Sequence, residues 1–258
     1  MAENQKQAAT PQQVKSEPKF KFPTEQVELP SKGLVYPKDN PLSSGQIEMK
    51  YMTAREEDIL TNQNYIAKGT VIDKLLQALI VSDINYNDIV VGDKNALLVA
   101  ARILGYGKDY EFSYRGETHT IDLATLDNRE IDESIFANKN EFEWILPTSK
   151  RNITFRLMTQ GLENKIDREL RGLEKLKKEV KPEMSTRMKY LITSVDGIDE
   201  PKEIRDFVDN YLLARDAKAL RDHIVEFQPD VNFKTELNIN GQYEEIDIPI
   251  SANFFFPD

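Results

Sequence analysis

The residues that could carry chemistry are few. The chain has two histidines, His119 and His223, and no cysteine, which removes disulfides, thiol nucleophiles and cysteine-ligated zinc together. No H-E-x-x-H or H-x-D spacing surrounds either histidine, and no serine stands in G-x-S-x-G. Gly105-Tyr106-Gly107 has a phosphate-loop look, but it follows a helical pattern rather than a strand and lacks the GKS or GxGxxG context, so it reads as a glycine stop. The triplet Glu56-Glu57-Asp58 could act in acid-base or metal chemistry. Thr53 and Glu56 form a T-x-x-E capping box, however, and acidic residues in a first helical turn are favoured by the helix dipole. No nucleophile, base and orienting group assemble from this text. The expectation is a protein without an active site, metal or cofactor.

The elements that would position these residues form an α+β chain. Its expected parts are a disordered arm over 1–19, an α+β domain over 20–159, a helical region over 160–227, and a C-terminal hairpin with an aromatic tail over 228–258 that packs on the first domain. The arm lacks large apolar residues before Phe20 and has no apolar signal core, and it is either a free tail or a segment that orders on a neighbour. From Phe20 to Thr53, prolines 23, 30, 37 and 41 punctuate an extended lead-in suited to lying along a surface, with a turn at Pro30-Ser31-Lys32-Gly33 and a strand through Ile47, Met49 and Tyr51. Helices are expected from Thr70, with Leu75, Leu76 and Leu79 on one face, and from Asp93, with Leu97, Leu98, Ala101 and Leu104 inward.

Hairpins come next. Residues 110–123 alternate around Gly116, and residues 233–250 alternate around Asn240-Gly241. Each glycine stands five residues before an Ile-Asp pair, which suggests one hairpin used twice, though two ordinary hairpins with the same turn chemistry read the same way. Phe142, Trp144 and Leu146 alternate into a turn at 147–150 and return through Ile153, Phe155 and Leu157. Beyond Thr159, Leu162, Ile166, Leu170, Leu173, Leu176 and Val180 make an apolar stripe on a charged helix with Asp167/Arg171 and Glu174/Lys178 pairs. Met188, Leu191, Ile192 and Val195 mark another helix, Pro201 starts a third, and Leu220, Ile224 and Phe227 belong to a fourth.

The tail breaks the pattern. Phe254, Phe255 and Phe256 stand together where chains usually carry polar residues, so the end is either tucked between layers or offered to a partner. The candidate partner-binding residues are these three with Leu29, Val35 and Tyr36 of the lead-in. The formal charge of −10 argues against coating nucleic acid or anionic membrane, and no run of about 18 apolar residues could span a bilayer.

The strings VELPSKGLVYP (27–37), MTAREEDIL (52–60), KGTVIDKLLQALIV (68–81), LPTSKRNITFRLMT (146–159) and IPISANFFFPD (248–258) together resemble the baseplate hub assembly protein family of T-even-like contractile-tailed phages. The resemblance runs over nearly all of 25–258. It implies a tail baseplate component, or a factor needed to build the central hub, that binds other tail proteins and has no assigned catalytic site. The chain would then belong to the virion, or to the host cytoplasm during assembly, and a homo-oligomer is possible. A cytoplasmic assembly chaperone is the alternative within that reading, and a hub-associated hydrolase with paired carboxylates is the rival from another class. Many members carry a zinc knuckle at the tips corresponding to Tyr114–Thr118 and Ile239–Tyr243. Here those tips are Tyr-Arg-Gly-Glu and Ile-Asn-Gly-Gln, so a plain turn must hold the geometry.

Overall fold

The computed structural model describes residues 23–176, 182–239, 241–250 and 254–255. The arm over 1–19 lies outside them, as do Val180, Lys178 and Phe256. The described residues form an α+β fold of eight α-helices and four small antiparallel sheets. One contiguous apolar cluster runs from Leu29 to Phe255 and joins all four sheets.

The lead-in departs from its expectation. Strand β1 (Thr24–Glu28) pairs with β2 (Gln46–Lys50), Val27 opposite Ile47, and the chain between them folds back through two tight crossings. Lys32 and Gly33 take φ of 50° and 79°, and Gly45 takes 73°. A Cβ on Gly33 would sit 2.4 Å from the Ser43 carbonyl oxygen, so only glycine lets the two turns pass. The prolines therefore make a compact knot with Leu29, Val35, Tyr36 and Leu42 in the core.

Helix α1 (Ala54–Leu60) starts at the expected box: Thr53 donates through N and Oγ1 to Glu56 Oε2, at 3.0 and 2.6 Å. After α2 (Gln63–Ala67), α3 (Val71–Leu79) buries Leu75, Leu76 and Leu79, and the chain leaving it lies along β2 with Val81 N donating to Glu48 O at 2.8 Å. Helix α4 (Val91–Tyr106) begins two residues before Asp93 and continues through Gly105; Gly107, at φ 85°, is what stops it. Gly105 is helical, and its missing side chain leaves room for Met52, whose Cε lies 2.8 Å from where a Cβ would be.

Gly92, in the first turn of α4, is the tightest approach. Its missing Cβ would fall 1.8 Å from the Pro229 carbonyl oxygen. Gly92→Ala is expected to cost about 3 kcal/mol, because backbone on both sides must separate. Gly172→Ala has open space within a helix and should be neutral or stabilising by up to about 1 kcal/mol. Urea denaturation of the two variants checks both signs.

The β3 (Asp109–Tyr114) and β4 (Glu117–Asp122) hairpin and the β8 (Lys234–Ile239) and β9 (Gln242–Asp247) hairpin share one register. Tyr114 faces Glu117 as Ile239 faces Gln242, each across a two-residue turn. Arg115 and Gly116 both have positive φ, 51° and 84°, the geometry of a primed hairpin turn, and Gly241 matches at 84°.

The region after Thr159 is mostly but not wholly helical. It contains α5 (Gln160–Lys175), α6 (Glu183–Leu191), α7 (Pro201–Asn210) and α8 (Ala214–Phe227). Ile192 and Val195, expected on a helix, instead belong to β7 (Ile192–Val195), which pairs with β6 (Asn152–Phe155) beside β5 (Phe142–Ile145). The run Ile-Thr-Ser-Val is β-branched at three of four positions and is closed by Asp196-Gly197, both at positive φ. Of its apolar stripe, helix α5 buries only Leu162 and Ile166 among the described residues. Leu176 is exposed, and Arg171, expected to pair with Asp167, donates to the Lys68 carbonyl at 2.9 Å.

Candidate functional site

The first place to look for chemistry is Asp93, which is wholly buried. Its Oδ1 accepts from Ser31 N at 2.9 Å, and its Oδ2 accepts from Ser31 Oγ and Tyr36 Oη, each at 2.6 Å. The Tyr36 hydroxyl in turn accepts from Val90 N at 3.1 Å. Burial lifts the Asp93 carboxyl to about 6; the hydrogen bonds from Ser31 and Tyr36 pull the other way and the Asp230 charge adds to the rise. Two carboxylates from distant segments therefore do approach each other, which a paired-carboxylate hydrolase would need. Both are buried, and Asp230 is engaged by Asn95 Nδ2 at 2.9 Å and Val231 N at 2.8 Å. With its acceptors filled by its own chain, Asp93 ties the lead-in knot to the start of α4.

The other perturbed carboxylates also hold backbone or partners in place. Burial opposes ionisation of Glu56, but hydrogen bonds from Lys50 and Thr53 outweigh it and the carboxyl is lowered. Asp216 accepts from Thr148 N at 2.7 Å and Ser149 N at 2.9 Å, fixing the turn after β5; these bonds also outweigh its burial and lower it. Glu169 is lowered chiefly by Arg205, which grips both its oxygens at 3.0 Å. His223 stacks on Trp144 with ring centroids 4.6 Å apart and planes 8° apart, and burial lowers its pKa. It extends an aromatic layer with Phe155 and Phe227, and the Glu226 charge opposes the effect of burial without overcoming it.

Five of the six sequence-derived partner residues lie inside the molecule. Leu29, Val35 and Tyr36 form the knot, and Tyr36 is spent on Asp93. Phe254 is buried edge-on to Tyr110 at 5.0 Å, and Phe255 is buried against Phe254 at 86°. Tyr110 also donates to the Pro249 carbonyl at 2.7 Å, so the tail is tucked under the first hairpin. These five are core because their rings and branches have apolar partners within the chain, which leaves nothing to present outward.

The surface that is free lies on the β5–β6–β7 sheet. Phe142 and Trp144 join the aromatic layer, and Glu143, Ile145, Asn152, Thr154 and Ser194, with Trp144 and Ile153 between them, line a shallow open cavity of about 460 Å³. A second hollow of about 180 Å³, sharing Asp196, is lined by Ile198, Phe207 and Tyr211 with Glu203 and Asp206, and by Arg151, which pairs with Asp196 at 2.6 Å. Ile145, Ile198 and Tyr211 are 58, 54 and 63% exposed, so three large apolar side chains rim one acidic surface.

Compared with protein-family models, curated proteins and solved structures, the chain has no match. The surface must then be read on its own chemistry. Among the described residues, no helix is long and apolar enough to cross a membrane, and no group of three or more His, Cys, Asp or Glu could hold a metal. The hairpin tips do not suit zinc, having no thiol; Arg115 Nη1 instead meets Glu244 Oε1 at 2.9 Å and ties the first hairpin to the second.

Sequence reasoning missed the β5–β6–β7 surface. The signal available was Ile145, an apolar residue out of step with the inward alternation of Phe142, Trp144 and Leu146. Tyr211, three residues beyond Val208, continues the helical spacing of Ile204, Phe207 and Val208 in the text, but it follows the end of α7 and turns outward.

Proposed function

We propose that the chain is a non-enzymatic component or assembly factor of a contractile phage tail baseplate hub, acting by binding other tail proteins. What supports this reading is the open, acidic face of the β5–β6–β7 sheet rimmed by Ile145, Ile198 and Tyr211, together with the baseplate-like strings of the sequence. Large apolar groups held beside an unpaired strand edge carry an aggregation risk that proteins usually blunt, and a docking partner would cover them. The polar networks favour the same reading, because Asp93, Asp216 and Glu169 are spent on fixing turns and helices.

Quantitative mass spectrometry of mature particles is the test. A fixed copy number per tail is the result expected for a hub subunit. Absence from the particle, combined with failure of tails to form without the protein, assigns the assembly-factor role. Normal, infectious tails made without it would overturn the proposal.

A further inference from the structure

Strand β5 pairs with β6 on one side only, and among the described residues no strand occupies its other edge. The pairings Phe142 with Phe155 and Trp144 with Ile153, together with the Leu146 N to Arg151 O bond, turn the main chain of residues 142, 144 and 146 toward β6. In an antiparallel ladder the alternate residues then aim their N–H and C=O groups outward, here those of Glu143 and Ile145. An added strand would find the Trp144 ring on one face and the Glu143 carboxylate on the other.

One segment of this chain has the matching pattern. Lys19-Phe20-Lys21-Phe22 alternates charge and ring, so as a strand on β5 it would lay both phenyls along Trp144 and both ammonium groups along Glu143. Residues 1–22 hold four lysines and two glutamates, a charge of +2, which leaves 30 basic against 42 acidic residues in the remainder, a charge of −12. Glu143 has no ion-pair partner among the described residues and stands ready for the lysines. The segment's own body is a poor host. Pro23 is held by Tyr51 N at 3.2 Å, four residues reach about 14 Å when extended, and the described hydrogen bonds and ion pairs of residues 23–49 touch no residue of β5, β6 or β7.

We propose that residues 19–22 of a second copy of the chain add to the open edge of β5 as an extra strand. This rests on the reading of that sheet as a docking surface and names its occupant. Sedimentation of the full chain, of the chain lacking residues 1–22, and of Ile145→Pro tests it. Proline at 145 removes an outward N–H without breaking a bond to β6, so the variant should keep the circular dichroism and melting of the parent. The full chain is expected to self-associate, and either change should weaken that association by about tenfold or more. A labelled peptide of residues 14–23 should bind the truncated chain and lose binding when Phe20 and Phe22 are both serine, or when the host carries Ile145→Pro.

A full chain that stays monomeric, association that survives arm removal, or peptide binding indifferent to Ile145→Pro would each overturn the inference. Incorporation into particles separates the two levels. If the truncated chain is incorporated and the Ile145→Pro chain is not, the occupant is another tail protein and the docking reading stands without the arm. If Ile145→Pro is incorporated normally, the docking surface itself is misplaced.

Discussion

Asp93→Ala is expected to destabilise the fold by about 3–5 kcal/mol, near the limit for a single side chain. The substitution leaves Ser31 N, Ser31 Oγ and Tyr36 Oη without an acceptor in a site closed to water, and it frees the lead-in knot from α4. Equilibrium urea unfolding measures this directly. A loss under about 1 kcal/mol would mean that water or a rearranged Ser31 replaces the carboxylate at little cost.

The same residue carries a pH signature. Its folded-state pKa is raised to about 6, above the ordinary carboxylate value it regains on unfolding. A raised pKa means that the folded state holds its proton more tightly. The contribution to stability is therefore full below about pH 4 and is lost as pH rises through about 6. Carboxylates with lowered values, Glu56, Glu169 and Asp216, act in the opposite sense and lose their contribution as pH falls through their folded values. The difference between parent and Asp93→Asn, followed from pH 4 to 7, isolates the Asp93 part. It should change by about 2 kcal/mol over that range, the parent losing ground toward pH 7.

Phe254→Ala is expected to cost about 3–5 kcal/mol, although it lies four residues from the C-terminal Asp258. The ring is almost fully buried, meets Tyr110 edge-on, and is locked by Phe255, so its removal opens a cavity between the tail and the first hairpin. Deleting 254–258 should lower the melting temperature by at least as much as the single change. A truncated chain with the parent's melting temperature would show that the tail is a peripheral strap. Loss of partner binding with unchanged stability would restore the docking role that Phe254 and Phe255 have in the sequence reading.

Local chemistry made much of the fold legible. The capping box at Thr53, the hairpin turns at Gly116 and Gly241, the return of Phe155 on Phe142 and the proline start of α7 follow from neighbours within a few residues. Their spacing in the chain is their spacing in space. The fold class followed from the same patterns. The two hairpins resemble each other in register as well as in text, an agreement that shared turn chemistry is sufficient to produce.

What the sequence could not give was which apolar residues find partners. Leu29, Val35, Tyr36 and Phe254 look available in one dimension because their contacts come from far along the chain: Asp93 for Tyr36, Tyr110 for Phe254. Ile192–Val195 became a strand because β6 offered an unpaired edge, a long-range choice that outweighed continuation of α6. The sequence by itself determined the absence of thiol chemistry, the acidic surface, the turns and the helix starts, all of which depend on residue type and near neighbours. Tertiary structure alone decided that the proline-rich lead-in is core, that Asp93 is a sealed lock, and that β5 keeps one edge without a strand among the described residues. Burial is a property of the whole packed chain, and no local pattern contains it.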